Sequence, residues 1–219
     1  MFVIGFGDSI TAGVHLPKED SYLARLGSKL LCRTFNSGVP GQTTQEALQR
    51  LEEDVLARRP NLCIIQFGMN DHVAAFPQMP KVPLPQFRDH LIQMVHALSD
   101  YGIAPVLCTV HPIIEGSAEA YYYARHPREW YAPSGAQAWI DRYNEAIREA
   151  AKLCDCALAD IDLYWKRQIE NGVELCDLLR TTENSGADDG VHPTPLGHRL
   201  YADCIADEVN AASNGLNNR

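Results

Sequence analysis

The chain has 219 residues, 46% of them apolar, enough for one substantial domain with a full core. Its 19 basic and 28 acidic side chains leave a formal net charge of −9, which excludes nucleic acid or an anionic membrane surface as the main partner. No stretch has the apolar length of a bilayer-spanning helix, and the first residues read as a core strand rather than a leader. These features predict a cytoplasmic protein with no stable membrane association. The seven cysteines lack metal-knuckle or redox spacing and read as buried, reduced thiols.

In chain order, short apolar runs at 1–6 (MFVIGF), 33–36 (RTFN), 62–67 (LCIIQF), 104–110 (APVLCTV) and 156–161 (CALADI) predict five strands. Between them lie stretches with one apolar face at helical spacing. Leu48, Leu51 and Val55 form one, Phe87, Leu91, Met94 and Leu98 another, and Trp139, Tyr143 and Ile147 a third. Thr194-Pro195 opens a last helix over 196–209. Strands alternating with helices predict right-handed crossovers and a parallel sheet covered on both faces. Two long loops, 71–85 and 111–135, follow strands at the edge where parallel sheets bind ligands. A single domain over 1–213 and a polar tail at 214–219 complete the layout.

The first strand runs into Gly5-Phe6-Gly7-Asp8-Ser9-Ile10-Thr11. A dinucleotide turn needs a third glycine where Ile10 stands. A Walker loop needs a lysine, and none precedes Lys18. The nucleophile elbow of α/β-hydrolases needs a glycine where Thr11 stands. What the turn presents is Ser9, and a serine nucleophile needs a base. Of the eight histidines, His192 in Asp188-Asp189-Gly190-Val191-His192 stands out. Asp189, three residues earlier across a glycine turn, has the spacing to hold the imidazole. Asn36–Gly41 after the second strand and Gly68-Met69-Asn70-Asp71 after the third offer glycine N–H and amide donors of the oxyanion-hole type.

These four blocks together resemble the SGNH hydrolases, the GDSL esterase/lipase family. Ser9 fits the first block, Gly41 the second, Asn70 the third and Asp189-x-x-His192 the last. The resemblance implies a three-layer α/β/α sandwich of flavodoxin-like type with a mostly five-stranded parallel sheet. It implies a triad of Ser9, His192 and Asp189, an oxyanion hole from the Ser9 and Gly41 N–H groups and the Asn70 amide, and no metal or organic cofactor. The implied partner is a small-molecule ester cleaved through an acyl-Ser9 intermediate, with a short acyl group such as acetyl on a polar or carbohydrate alcohol. Lysophospholipase, thioesterase and acyltransferase chemistry use the same triad and stay open, as does a catalytically silent carbohydrate-binding protein. Asp8 and Asp71 read as bracing carboxylates, and His198 as structural. His111, Tyr123 and Trp130 are the expected substrate contacts. The aromatics of 121–131 also suit packing or a second copy of the chain, which leaves a homo-oligomer open.

Overall fold

The computed structural model describes the backbone of residues 1–216 and the side chains of residues 1–211. Strand β1 (Phe2–Gly7) leads through the one-turn helix α1 (Ser9–Ala12) and α2 (Tyr22–Lys29) to β2 (Arg33–Gly38). Helix α3 (Thr44–Asp54), β3 (Leu62–Gln66), a hairpin of β4 (Ala74–Phe76) and β5 (Met79–Pro80), and α4 (Leu84–Asp100) follow. Next come β6 (Ala104–Cys108), α5 (Ala136–Leu153), β7 (Ala157–Ala159), α6 (Ile161–Glu170), the short α7 (Leu175–Leu178) and α8 (Thr182–Ser185), and α9 (Pro195–Leu216). The last helix runs past its expected end at 209 and takes in the start of the expected tail, whose residues 217–219 lie outside the described ones.

The five strands expected from sequence form one all-parallel sheet in the order β2-β1-β3-β6-β7. Counting only these strands, the order is 2-1-3-4-5, the flavodoxin-like winding. Side chains alternate between two cores, as the period of a strand requires. Val3, Leu62, Ile64, Val106 and Cys108 face α2, α6 and α9, whereas Ile4, Phe6, Cys63, Ile65 and Leu107 face α3, α4 and most of α5. The chain winds first to one side of β1 and then to the other, so the switch point falls between β1 and β3. Ser9 leaves the first of these strands and Asn70 the second, and ligands bind at such a crevice.

Gly7 makes the exit from β1 workable. A Cβ there would lie 2.1 Å from Thr11 Oγ1 and 2.6 Å from the Gln66 carbonyl, so only glycine lets the chain turn this tightly. The cysteine expectation needs one correction. All seven are unpaired, but Cys176 is exposed and Cys32, Cys154 and Cys156 are half-buried. Cys176 sits in α7 beside a loop, where no strand demands an apolar side chain.

Candidate active site

Asp8 caps α1, its Oδ1 accepting from the Ile10 N–H at 2.9 Å, and so fixes the turn that carries Ser9. Ser9 itself is 9% exposed, and its Oγ lies 3.1 Å from His192 Nε2. His192 Nδ1 lies 2.9 Å from Asp189 Oδ2. Asp189 Oδ1 also accepts the Val191 and His192 N–H groups, each at 3.1 Å. Burial pushes the Asp189 carboxyl up, but the bonds and charge of His192 outweigh this and hold it at about 2.

The loop carrying Asp189 and His192 is braced from several directions. The Arg180 N–H donates to the His192 carbonyl and the Gly190 N–H to the Arg180 carbonyl, both at 2.9 Å. Gly190 has φ +72°, and a Cβ there would meet the Ile114 carbonyl at 2.8 Å. Arg125 donates to the carbonyls of Asp188 and Asp189. His111, expected to touch substrate, belongs to this bracing instead. It is fully buried, donates from Nε2 to the Val191 carbonyl at 2.7 Å, and accepts at Nδ1 from the Tyr201 hydroxyl at 2.6 Å. Both ring nitrogens are occupied, and burial pushes its pKa down to about 4. His198 is structural, its Nδ1 accepting from the Tyr22 N–H at 3.1 Å.

On the facing side, Asp71 ties the turn after β3 to α3. Its Oδ1 accepts from Thr44 N–H and Oγ–H at 2.8 and 2.6 Å, and its Oδ2 from Gly68 N–H at 3.1 Å. The Asn70 side chain donates to Asp8 Oδ2 at 3.2 Å, which leaves its second amide hydrogen unassigned. The Gly38 N–H is spent on Asn36 Oδ1 at 2.9 Å. Gly41, at φ +80° in the turn after β2, is exposed, and no described protein group accepts its N–H.

A cavity of about 140 Å³ opens on Ser9 and His192, walled by Met69, Asn70, Val73, Tyr122, Arg125, His126 and Val191. Tyr123 and Trp130 do not line it. Tyr123 is buried, with its hydroxyl on Glu115 Oε1 at 2.6 Å, and faces a separate hollow with Arg128 and Gly135. Trp130 packs partly buried against the core and offers its carbonyl to the Gln78 N–H. The aromatic loop reaches the cleft through Tyr122, one residue before Tyr123.

Tyr122 is held by a buried chain of hydrogen bonds whose directions follow from its ends. The Gly68 carbonyl can only accept, so His72 Nδ1 donates to it (3.1 Å) and His72 Nε2 accepts from the Tyr122 hydroxyl (3.0 Å). Tyr122 then accepts from the Tyr131 hydroxyl at 2.9 Å, which accepts from the Ala74 N–H at 2.9 Å. Burial holds His72 neutral, its pKa down to about 4, as this chain requires. The aromatic loop is thereby tied to the turn that carries Asn70. Tyr122, Arg125, His126 and Val73 come from the two long loops expected at the ligand edge, whereas Met69 was not expected as a cleft wall. Tyr121-Tyr122-Tyr123 signalled the segment but not which ring turns inward.

Among the described residues, His15, Asp189 and His192 form one group that could hold a metal ion, with ligand atoms within 4.8 Å of one another. His15 meets His192 edge to face at 5.2 Å between ring centroids. Two of the three are already bonded to each other, which accounts for their closeness without an ion.

The model of the GDSL-like lipase/acylhydrolase family matches residues 6–200, a span reaching from the turn before Ser9 to past His192. The chain belongs to this family. As a GDSL hydrolase it is a serine enzyme acting on ester bonds. It is 32% identical to the uncharacterised lipoprotein YqeF of Bacillus subtilis, over 94% of this chain and 88% of that protein. It is 31% identical to an arylesterase of Vibrio mimicus, over 93% and 85%. A solved acetylxylan esterase from Geobacillus stearothermophilus shares the fold, with a TM-score of 0.72 at 21% identity over 95% of this chain and 93% of that one.

The charge of Asp8 gives a pH test of the hydrolase. Burial is the main cause that raises its pKa from 3.8 to about 7, with the nearby Asp71 adding to it against the Ile10 N–H. The folded state therefore holds a proton that the unfolded state releases between about pH 4 and 7, and stability falls as pH rises through that window. Asp8→Asn should flatten this fall, as read by denaturant midpoints from pH 4 to 8. An unchanged slope would mean that Asp8 does not carry the titration.

Proposed function

We propose that this chain hydrolyses short-chain esters of polar alcohols through an acyl-Ser9 intermediate. His192 takes the Ser9 proton as Oγ attacks the ester carbonyl and passes it to the departing alcohol; water, activated by the same imidazole, then releases the acyl group. Asp189, an acceptor only, keeps the proton of neutral His192 on Nδ1 and Nε2 open toward Ser9. The oxyanion is received by the Ser9 and Gly41 N–H groups and the free amide hydrogen of Asn70. The observation that carries this reading is the continuous chain Asp189–His192–Ser9, at 2.9 and 3.1 Å, opening on the cavity.

Cavity size supports the short acyl group. A volume of about 140 Å³ falls below the roughly 300–1,000 Å³ of drug-sized sites. Its wall mixes Met69 and Val73 with Arg125 and His126, in place of a long apolar lining. The name arylesterase borne by the Vibrio relative agrees with ester chemistry. Acetyl and butyryl esters should be cleaved with higher kcat/KM than palmitoyl esters. An optimum at about twelve or more carbons, where each buried CH₂ adds about 0.8 kcal/mol, would assign a lipase or thioesterase site instead.

The oxyanion reading has its own test. Asn70→Ala should lower kcat by on the order of 10²–10³ with little change in KM, as loss of one such donor does. An unchanged kcat, with acylation or deacylation shown to limit the rate, removes Asn70 from the hole.

A further inference from the structure

Beside the Asn70 amide hydrogen assigned above to the oxyanion, the cavity wall brings a second uncommitted hydrogen-bonding group, the imidazole of His126. Its ring lies over Tyr122 at 4.3 Å between centroids and 31° between planes. Tyr122 is fixed in turn by the buried bonds to His72 and Tyr131. The imidazole is thus on a rigid support, half-buried beside Ser9 and His192. Arg125, by contrast, has its guanidinium tied to the carbonyls of Asp188 and Asp189. No described protein group is hydrogen-bonded to either ring nitrogen of His126. Burial, with the charges of Arg125 and Lys81, pushes its pKa down to about 4. At neutral pH it therefore offers one N–H donor and one bare nitrogen acceptor.

A neutral donor–acceptor pair is matched by a group that both donates and accepts, which is a hydroxyl. A carboxylate would use its one N–H and leave the bare nitrogen unpaired, and an ammonium group is repelled by the neighbouring Arg125 and Lys81 charges. Resting on the esterase reading above, we infer that the cleft selects esters carrying a free hydroxyl beside the scissile bond, and that His126 is the residue that binds it. The hydroxyl can lie on the alcohol, as in a glycerol or sugar ester, or on the acyl group, as in a 2-hydroxy acid ester. Both present the same group near the reacting carbonyl.

The test compares kcat/KM for glyceryl monoacetate and for ethyl lactate with that for ethyl acetate. His126→Phe keeps an aromatic ring over Tyr122 and removes both nitrogens; His126→Gln keeps a donor and an acceptor. The wild type should favour one or both hydroxyl-bearing esters, and the arm that shows it locates the hydroxyl. In H126F that preference should fall about fivefold to tenfold, the worth of one neutral hydrogen bond, and H126Q should recover part of it. A ratio equal in wild type and H126F overturns the inference. So does a uniform loss on all three esters, which would make His126 a packing residue only. In both cases hydrolysis of ethyl acetate by the wild type leaves the esterase reading standing. No hydrolysis of any ester, with Ser9 unlabelled by a phosphonate, brings down that reading and this inference together.

Discussion

Ser9→Ala should lower kcat by on the order of 10⁴–10⁶, the range found when the nucleophile of a serine triad is removed, while leaving the fold intact. The Ser9 hydroxyl has His192 Nε2 at 3.1 Å as its one side-chain partner, and the core does not depend on it. The helix turn behind it is held by the Asp8 cap and by Thr11, whose hydroxyl donates to Gln66 Oε1 at 2.9 Å; neither contact involves the Ser9 side chain. The His192 ring keeps solvent access at its side-chain exposure of 24%, so no buried group is stranded. The variant should therefore melt near the wild type and gain no adduct from a serine-directed phosphonate. Near-normal turnover by folded Ser9→Ala would sink the acyl-serine mechanism, whatever its melting temperature.

The parallel sheet was legible because its central strands β1, β3 and β6 are short apolar runs largely buried on both faces, whereas the edge strand β2 is mostly exposed. The Asp189–His192 pair was legible from its three-residue spacing across a glycine turn, and Ser9 and Asn70 for a reason related to the sheet. Chemistry in such folds gathers at the strand exits, and the exits are marked by glycine. Helix α2 was not read, since its apolar residues Tyr22, Leu23 and Leu26 span little more than one turn and give too little period to see. Its start is marked instead by Ser21, whose side chain accepts from the Ala24 N–H. Helix α6 is announced in the same way by Asp160, which accepts from Leu163 N–H.

The cleft wall was the part sequence could not supply. His111 stands at a strand exit, as a ligand residue would, but Tyr201 from α9 and the Val191 carbonyl close over it. Three consecutive tyrosines carry no periodicity that says which one faces Ser9. That choice is made by His72, about 50 residues earlier in the chain, through its bond to the Tyr122 hydroxyl. Contacts of this range are invisible to local pattern, and they are why Tyr122, Arg125 and His126, and not His111, Tyr123 or Trp130, wall the cavity at Ser9.

Asp189→Asn should cost on the order of 10⁴ in kcat, the loss seen when a triad carboxylate becomes an amide, and should far exceed the loss in Asp188→Asn. The reason is the direction of one hydrogen bond. Asp189 Oδ1 already accepts two backbone N–H groups, so an asparagine would keep its carbonyl oxygen there and turn its NH₂ toward His192. The imidazole would then accept at Nδ1 and carry its proton on Nε2, facing the Ser9 hydroxyl with a donor where a base is needed. Asp188 has no such role: its Oδ1 accepts the Tyr121 N–H at 2.6 Å, which an amide oxygen does equally well. Stability should part the two variants as well. The folded Asp189 carboxyl is held at about 2, below its ordinary 3.8. Its stabilising contribution is therefore present above about pH 4 and lost as pH falls through 2. Asp189→Asn should remove that part of the acid unfolding, and Asp188→Asn should leave it. Measured kcat and acid-unfolding midpoints for the two variants decide the matter, and a larger loss in Asp188→Asn would transfer the orienting role to the other carboxylate.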